Sequence, residues 1–262
     1  MPTDFETLRY ELEDGIATVT LNRPDVLNAV NMAMRKDFAA LSEELFFNEE
    51  VRLVIFTGAG RGFSAGGDMS HFEKEWLTPT FRANSRRLVK FFDDLEALEK
   101  PVLAAINGAA TGAGLELALA CDIRFAAESA TLGFRENYIG LIPGVGGCAR
   151  LIRAIGAARA KEFIWMGTMY SAEACHEMGL VHHVVPDEQL LDEVADYART
   201  LLKRAPQALG MAKKLLNTLA NIDQTSGIVV EGLAQSILIK TEDHREGVRA
   251  FREKRRPDYS GR

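Results

Sequence analysis

Apolar side chains change their spacing repeatedly along the chain, and each change predicts a new element. From Leu8 to Leu21 they alternate with polar ones in LRYELE and IATVTL, and Glu13-Asp14-Gly15 between these runs predicts a β-hairpin. β-Branched Ile16, Val19 and Thr20 favour strand over helix. Asn22-Arg23-Pro24-Asp25 ends the hairpin as a loop, and from Asn31 to about Phe47 the positions Met32, Phe38, Leu41 and Leu45 take up a helical spacing. VRLVIFTG (51–58) is an apolar run predicted as a buried strand, followed by the glycine-rich GAGRGFSAGGD. A helix is predicted from about Thr80 to Leu98, and PVLAAIN (101–107) as the next buried strand. A second glycine-rich loop, NGAATGAG (107–114), leads into a short helix LELALA and the strand-like CDIRFAA. Short elements follow through ESATLGFRENYIGLIPGVGG, and the remainder is mostly helical apart from VHHVV (181–185).

Two strands, helix, strand, helix, strand is the order of an α/β fold with parallel crossovers. Beyond about Asp187 the spacing is helical over 187–203, 207–220 and roughly 226–240, with few glycines and no strand signal. This region is expected to pack on the core or on a neighbouring subunit. At 262 residues the chain suits one large domain, or one with a small appendage. Its 47% hydrophobic and 26% charged residues are ordinary for a globular enzyme. A net charge of −6 argues against general nucleic-acid binding, although Arg245, Arg249, Arg252, Lys254, Arg255 and Arg256 form a local basic stretch. The three cysteines, Cys121, Cys148 and Cys175, are far apart with no CxxC, which disfavours disulfides and zinc and fits a reducing, cytoplasmic compartment. MPTDFETLRYELEDG resembles neither a signal nor a transit peptide, and no apolar run approaches the ~20 residues that span a membrane. No membrane partner is expected.

Glycines after a strand let backbone N–H groups approach a ligand closely, and two such loops can converge on one oxygen and stabilise an oxyanion. The plainer reading is that they make tight turns. Gly62-Phe63-Ser64-Ala65-Gly66 fits the GxSxG of hydrolase nucleophile elbows, but Gly58-Ala59-Gly60-Arg61 separates the strand from Ser64. Gly60-x-Gly62-x-x-Ala65 partly matches a dinucleotide fingerprint without its following acidic residue. Glu116, in the apolar GLELALA, is either a helix-dipole partner or a partly buried acid–base group; Glu136, in GFRENYIG, has similar surroundings. Two carboxylates in unlike environments can serve as base and acid. His71, His176, His182, His183 and His244 form no metal-ligand pattern, and side chains of His182 and His183 point to opposite faces of a strand.

The string NGAATGAGLELALACDIRFAAESATLGFRENYIGLIPGVGGCARL (107–151), RPDVLNAV around Asn28, GFSAGGDM (62–69) and the terminal TEDHREGVRAFREKRRPDY together resemble the crotonase family, most closely its enoyl-CoA hydratase branch. The resemblance covers essentially the whole chain in order. It implies an α/β crotonase-like spiral of ββα repeats over 1–190 that carries the acyl-CoA site. It implies a C-terminal helical trimerisation region over 191–262, and self-association as a trimer or dimer of trimers. The oxyanion hole would be the N–H groups of Gly67 and Ala113; Gly67, Asp68, Met69, Ser70, Ala113 and Gly144 would line the substrate site. Arg23, Val26, Ala65 and Lys254 would meet CoA, Lys254 across a subunit boundary. Glu116 and Glu136 fall on the two glutamate positions of the hydratases, many relatives with other reactions keeping one or neither. The resemblance implies hydration of a trans-2-enoyl-CoA to a 3-hydroxyacyl-CoA, with no metal or redox cofactor and CoA as part of the substrate. The alternatives are double-bond isomerisation on the same fold, thioester hydrolysis at Ser64, and a non-catalytic binding role. Four positions depart from the hydratase pattern: Ala113 for glycine, Arg135 for proline, Phe134 for a polar residue and Cys148 for threonine.

Overall fold

In the computed structural model, which describes residues 4–262, the predicted hairpin is β1 (Leu8–Glu13) paired antiparallel with β2 (Ile16–Leu21), Leu8 opposite Leu21. Alternation does what it predicts: Ala17, Val19 and Leu21 are fully buried. Helix α1 (Met32–Phe47) follows, its first turn capped by the Asn31 side chain, which accepts the Met34 N–H at 2.9 Å. It returns the chain to β3 (Leu53–Gly58), parallel to β2.

From here each turn of the chain gives one strand to each of two sheets. β3 is followed by β4 (Gly62–Ser64), then helices α2 (Met69–Phe72) and α3 (Thr78–Ala97). β5 (Val102–Ile106) is followed by β6 (Ala109–Thr111) and α4 (Ala113–Ala120); β7 (Ile123–Ala127) is followed by β8 (Thr131–Gly133) and α5 (Gly147–Met166). Then come β9 (Tyr170–Ser171), α6 (Ala172–Glu177) and β10 (His183–Val185). The larger sheet runs β1-β2-β3-β5-β7-β10 and the smaller β4-β6-β8-β9, so the repeating ββα unit winds as a spiral. β3 and β5 are buried on both faces, hence their continuous apolar runs.

Two strands of the second sheet, β4 and β6, lie inside segments whose glycine content predicts loops. Three residues cannot show a period, and β4 and β6 exist because they pair with each other, Gly62 with Ala109 and Ser64 with Ala110. Helix α4 likewise starts at Ala113, ahead of LELALA. The predicted C-terminal helices form as α7 (Leu190–Leu201), α8 (Pro206–Leu219) and α9 (Gln224–Leu238). The basic stretch is a further helix, α10 (Glu242–Glu253), plus a short tail. It is less free to bind anions than its composition suggests, since Arg249 and Arg255 both pair with Glu246, and Arg255 also with Glu253.

Asn28 fastens the early loop to this frame. It is fully buried in a left-handed conformation (φ 57°), and its Nδ2 donates to the carbonyls of Gly62 (2.8 Å), Ala59 (3.0 Å) and Phe63 (3.2 Å). Its Oδ1 accepts the Arg23 N–H at 2.9 Å. Asn28→Ala leaves those groups without their partner and keeps a strained backbone, an expected loss of about 2–4 kcal/mol. Asn28→Gly, which relieves the φ strain alone, is expected to cost less. Urea unfolding of the two variants beside wild type measures the difference.

Candidate active site

Helix α4 begins where the second glycine loop ends, and Glu116 sits in its first turn, 2% exposed among Leu115, Leu117 and Ala118. Its Oε1 accepts two backbone N–H groups, from Gly147 at 2.8 Å and Val145 at 2.9 Å. A Cβ on Gly147 would stand 2.7 Å from that oxygen, so only glycine allows the approach. Burial pushes the Glu116 carboxyl up to about 7; the two N–H donors and Arg150 oppose the rise and Glu136 adds to it.

Glu136 opens the short 3-10 helix Glu136–Ile139 and comes to the same place from the other side. Its Oε1 lies 3.2 Å from where a Cβ on Gly112 would be, and its buried Oε2 has no hydrogen-bond partner among the described residues. Burial raises its pKa as well. The fold therefore joins the two predicted carboxylates, each favouring its protonated form more than a solvated glutamate does.

The two glycine-rich segments also meet. Gly66, at φ 86°, has the Thr111 carbonyl, the Ala113 nitrogen and the Gly112 Cα packed so closely that a Cβ there would lie 2.7, 3.2 and 3.2 Å from them. Val30 donates to the Gly66 carbonyl and Asp68 donates to the Val30 carbonyl, which turns the Gly67 N–H away from that bridge. Neither Gly67 N–H nor Ala113 N–H is donated to a group among the described residues. Two undonated amides beside two raised carboxyls can stabilise a negative oxygen while protons move next to it.

The remaining predicted positions fall into three sets. Asp68 caps α2, accepting the Ser70 hydroxyl (2.8 Å) and N–H (3.2 Å), and pairs with Arg23 at 2.9 Å. The Ser70 hydrogen bond and then Arg23 hold its carboxyl below the usual range. Arg23 also donates to the Ala29 carbonyl at 2.6 Å, so it ties the early loop to α2. Met69 and Val26 are exposed, and Ala65 is half-buried with its N–H given to the Leu27 carbonyl. Gly144 is exposed, directly before Val145, the residue that donates to Glu116. Lys254 is not brought to this site within the chain: it ends α10, which lies beside α8 and α9.

Ser64 is fully buried, donating to the Asn28 carbonyl at 2.8 Å and accepting the Gly66 N–H at 3.2 Å. Its Oγ is a structural pin with no opening for a substrate. Sequence reasoning missed Arg150, one turn into α5 and 7% exposed. Its Nη1 donates to the Val145 carbonyl at 3.1 Å and its Nη2 pairs with Asp93 and Glu96 of α3, both at 2.8 Å. The only advance signal was an arginine in an apolar segment. Cys148 is half-buried, and burial and then the charges of Glu116 and Glu136 raise its thiol pKa. Among the described residues no group of three or more His, Cys, Asp or Glu is placed to hold a metal, and no helix is long and apolar enough to cross a membrane.

Residues 11–262 match the model of the enoyl-CoA hydratase/isomerase family. The chain is 41% identical over 250 residues to the putative enoyl-CoA hydratase/isomerase YngF of Bacillus subtilis, covering 95% of each. It is 36% identical over 268 residues to 1,2-epoxyphenylacetyl-CoA isomerase of Escherichia coli, covering 98% of this chain and 100% of that one. The crystal structure of enoyl-CoA hydratase from Bacillus anthracis superposes with a TM-score of 0.94 at 36% identity, over 98% of this chain and 100% of that one.

The raised pKa of Glu116 has a consequence for stability. A carboxyl that titrates at 4.5 unfolded and near 7 folded binds its proton more tightly in the native state. Its carboxylate form therefore weakens the fold progressively as pH rises through that window. Glu116→Gln keeps an oxygen for both N–H donors without the charge. It is expected to match wild type in stability at low pH and to exceed it by on the order of 2–4 kcal/mol above about pH 8. Thermal melting of both proteins across that range is the measurement.

Proposed function

The chain belongs to the enoyl-CoA hydratase/isomerase family, and from that premise we propose that it adds water across the double bond of a trans-2-enoyl-CoA, giving a 3-hydroxyacyl-CoA. The observation that carries this reading is the pair Glu116 and Glu136, both raised in pKa, beside the undonated amides of Gly67 and Ala113. In this reading the two amides hold the thioester carbonyl, with Asp68, Met69, Ser70 and Gly144 lining the acyl-CoA site. Arg23, Val26 and Ala65 lie near CoA, and Lys254 reaches it from a neighbouring subunit.

The amides draw electron density from C3. Glu116, as carboxylate, takes a proton from a water whose oxygen bonds to C3. The C2–C3 π electrons move toward the carbonyl oxygen as an enolate. Glu136, as acid, gives its proton to C2 as the carbonyl re-forms, and proton exchange between the carboxyls or with solvent restores the starting state. CoA is part of the substrate, and the scheme uses no further cofactor. The chain also self-associates, as a trimer or dimer of trimers, through the helical region over 191–262. Val229, Leu233 and Ile237, four residues apart on α9, are all more than half exposed, as an interface stripe requires.

Loss of conjugated-thioester absorbance with crotonyl-CoA tests the activity directly. Glu116→Gln and Glu136→Gln are each expected to lower kcat by about 10²–10⁴-fold. Ser64→Ala is expected to fall far less, and its abolishing turnover while Glu116→Gln is tolerated would favour a serine hydrolase. The rate is expected to rise with pH through about 7 as Glu116 ionises. A protein that leaves crotonyl-CoA untouched but shifts the double bond of a 3-enoyl-CoA is an isomerase.

A further inference from the structure

On the inner face of α1, Arg35 is 7% exposed, and its Nε and Nη1 have no hydrogen-bond partner among the described residues. No carboxylate among those residues forms an ion pair with it. Arg124, equally buried, is treated differently: it donates to the carbonyls of Leu180 (2.6 Å), Cys121 (2.9 Å) and Ala118 (3.4 Å). Leaving buried donors of a cation unpaired is costly, so such a group calls for a partner from outside the chain.

The surroundings of Arg35 place it at one end of the site. Val30, bridged to Gly67, directly precedes the Asn31 cap of α1, and a helical Cβ leans toward the helix N-terminus. Gly67 is covered by the Phe72 ring, 2.8 Å from where a Cβ would be. The His71 ring lies 5.4 Å from Phe72, 4.8 Å from Trp76 and 5.9 Å from Phe81. Burial, with the charges of Arg35 and Lys74, lowers the pKa of His71, so the ring beside Arg35 is neutral and does not balance its charge. Helix α3 packs against both α1 and α4, the helix of Glu116.

We propose that Arg35 is a specificity residue that selects 2-enoyl-CoA substrates whose acyl chain ends in a carboxylate. This rests on the hydratase reading, with the acyl chain leaving Gly67 past the α4 carboxyls and ending between α2, α3 and α1. Both bidentate edges of a guanidinium include one of the two unpartnered donors, Nε or Nη1, so either edge offers a free N–H to the terminal carboxylate. Arginine rather than lysine suits this task because its fork matches the two oxygens of one carboxylate.

The test compares pent-2-enoyl-CoA with glutaconyl-CoA, acyl chains of equal length ending in methyl and in carboxylate. Wild type is expected to favour glutaconyl-CoA in kcat/KM by at least about 10-fold. Arg35→Met is expected to cut that ratio by about 10–100-fold, the worth of a buried hydrogen bond to a charged group. Arg35→Lys, which keeps the charge without the fork, is expected to fall between, and it serves if the Met variant does not fold. A wild type that favours the methyl end, or a ratio unmoved in either folded variant, overturns the proposal. Calorimetric titration with the saturated pair, pentanoyl-CoA and glutaryl-CoA, separates this from the hydratase reading. Tighter glutaryl-CoA binding that is lost in Arg35→Met, with no hydration of either enoyl ester, sinks the hydratase reading and keeps the Arg35 assignment. Equal affinity for the two esters in wild type sinks the assignment whatever the reaction.

Discussion

The carboxyl of Glu116, enclosed at the start of α4, sets the terms for everything built around it. A carboxylate there loses nearly all of its water, and that cost is tolerable only with hydrogen bonds aimed at it. Val145 supplies one from the turn before α5 and Gly147 the other from the first residue of that helix. The turn is held by Arg150, which grips the Val145 carbonyl and is anchored by Asp93 and Glu96 on α3. The position of one carboxyl oxygen thus depends on a salt bridge several residues and two helices away. The hydrogen bonds do not cancel the burial, and the residual penalty leaves Glu116 titrating near neutrality, where accepting and returning a proton cost least.

The opposite wall depends on backbone rather than charge. Pairing of β4 with β6 brings Gly66 against Gly112 and Ala113, an approach that a side chain on Gly66 would block. Asn28 draws the early loop onto the same strands, and its carbonyl takes the Ser64 hydroxyl. The GxSxG string is therefore occupied in holding the two loops together. A serine with both of its hydrogen-bonding roles filled inside the protein cannot also attack a substrate.

The sequence carried the larger sheet and most helices because period and run length are local properties. Glu116 and Glu136 were legible as candidates because carboxylates stand out in apolar segments, and resemblance to the crotonase family then paired them. Three features were hidden for one physical reason: their meaning lies in partners distant along the chain. β4 and β6 are too short to show a pattern until they pair. α10 and its tail read as a basic stretch until packing shows Arg249 and Arg255 paired with Glu246, which is buried on that helix. Arg35 and Arg150 look like solvent-facing helix residues, and only packing shows that they point inward. Local composition cannot distinguish Arg150, whose Nη1 and Nη2 are held by Val145, Asp93 and Glu96 although its Nε is not, from Arg35, which has no ion pair among the described residues.

That distinction separates the charges that would run the reaction from the charge that would choose the substrate. Glu116 answers to Glu136 and Arg150 and to the amides of Val145 and Gly147. Arg35 acts on His71, across the aromatic group that covers Gly67. The proton-transfer machinery is thus tuned by one set of partners and the distal cation by another. Were the same cation to serve both, a change of acyl group would shift the titration of the carboxyls and the acid–base balance with it. Keeping them apart lets the far wall of the site change its preference while the carboxyl pair and the two amides stay as they are.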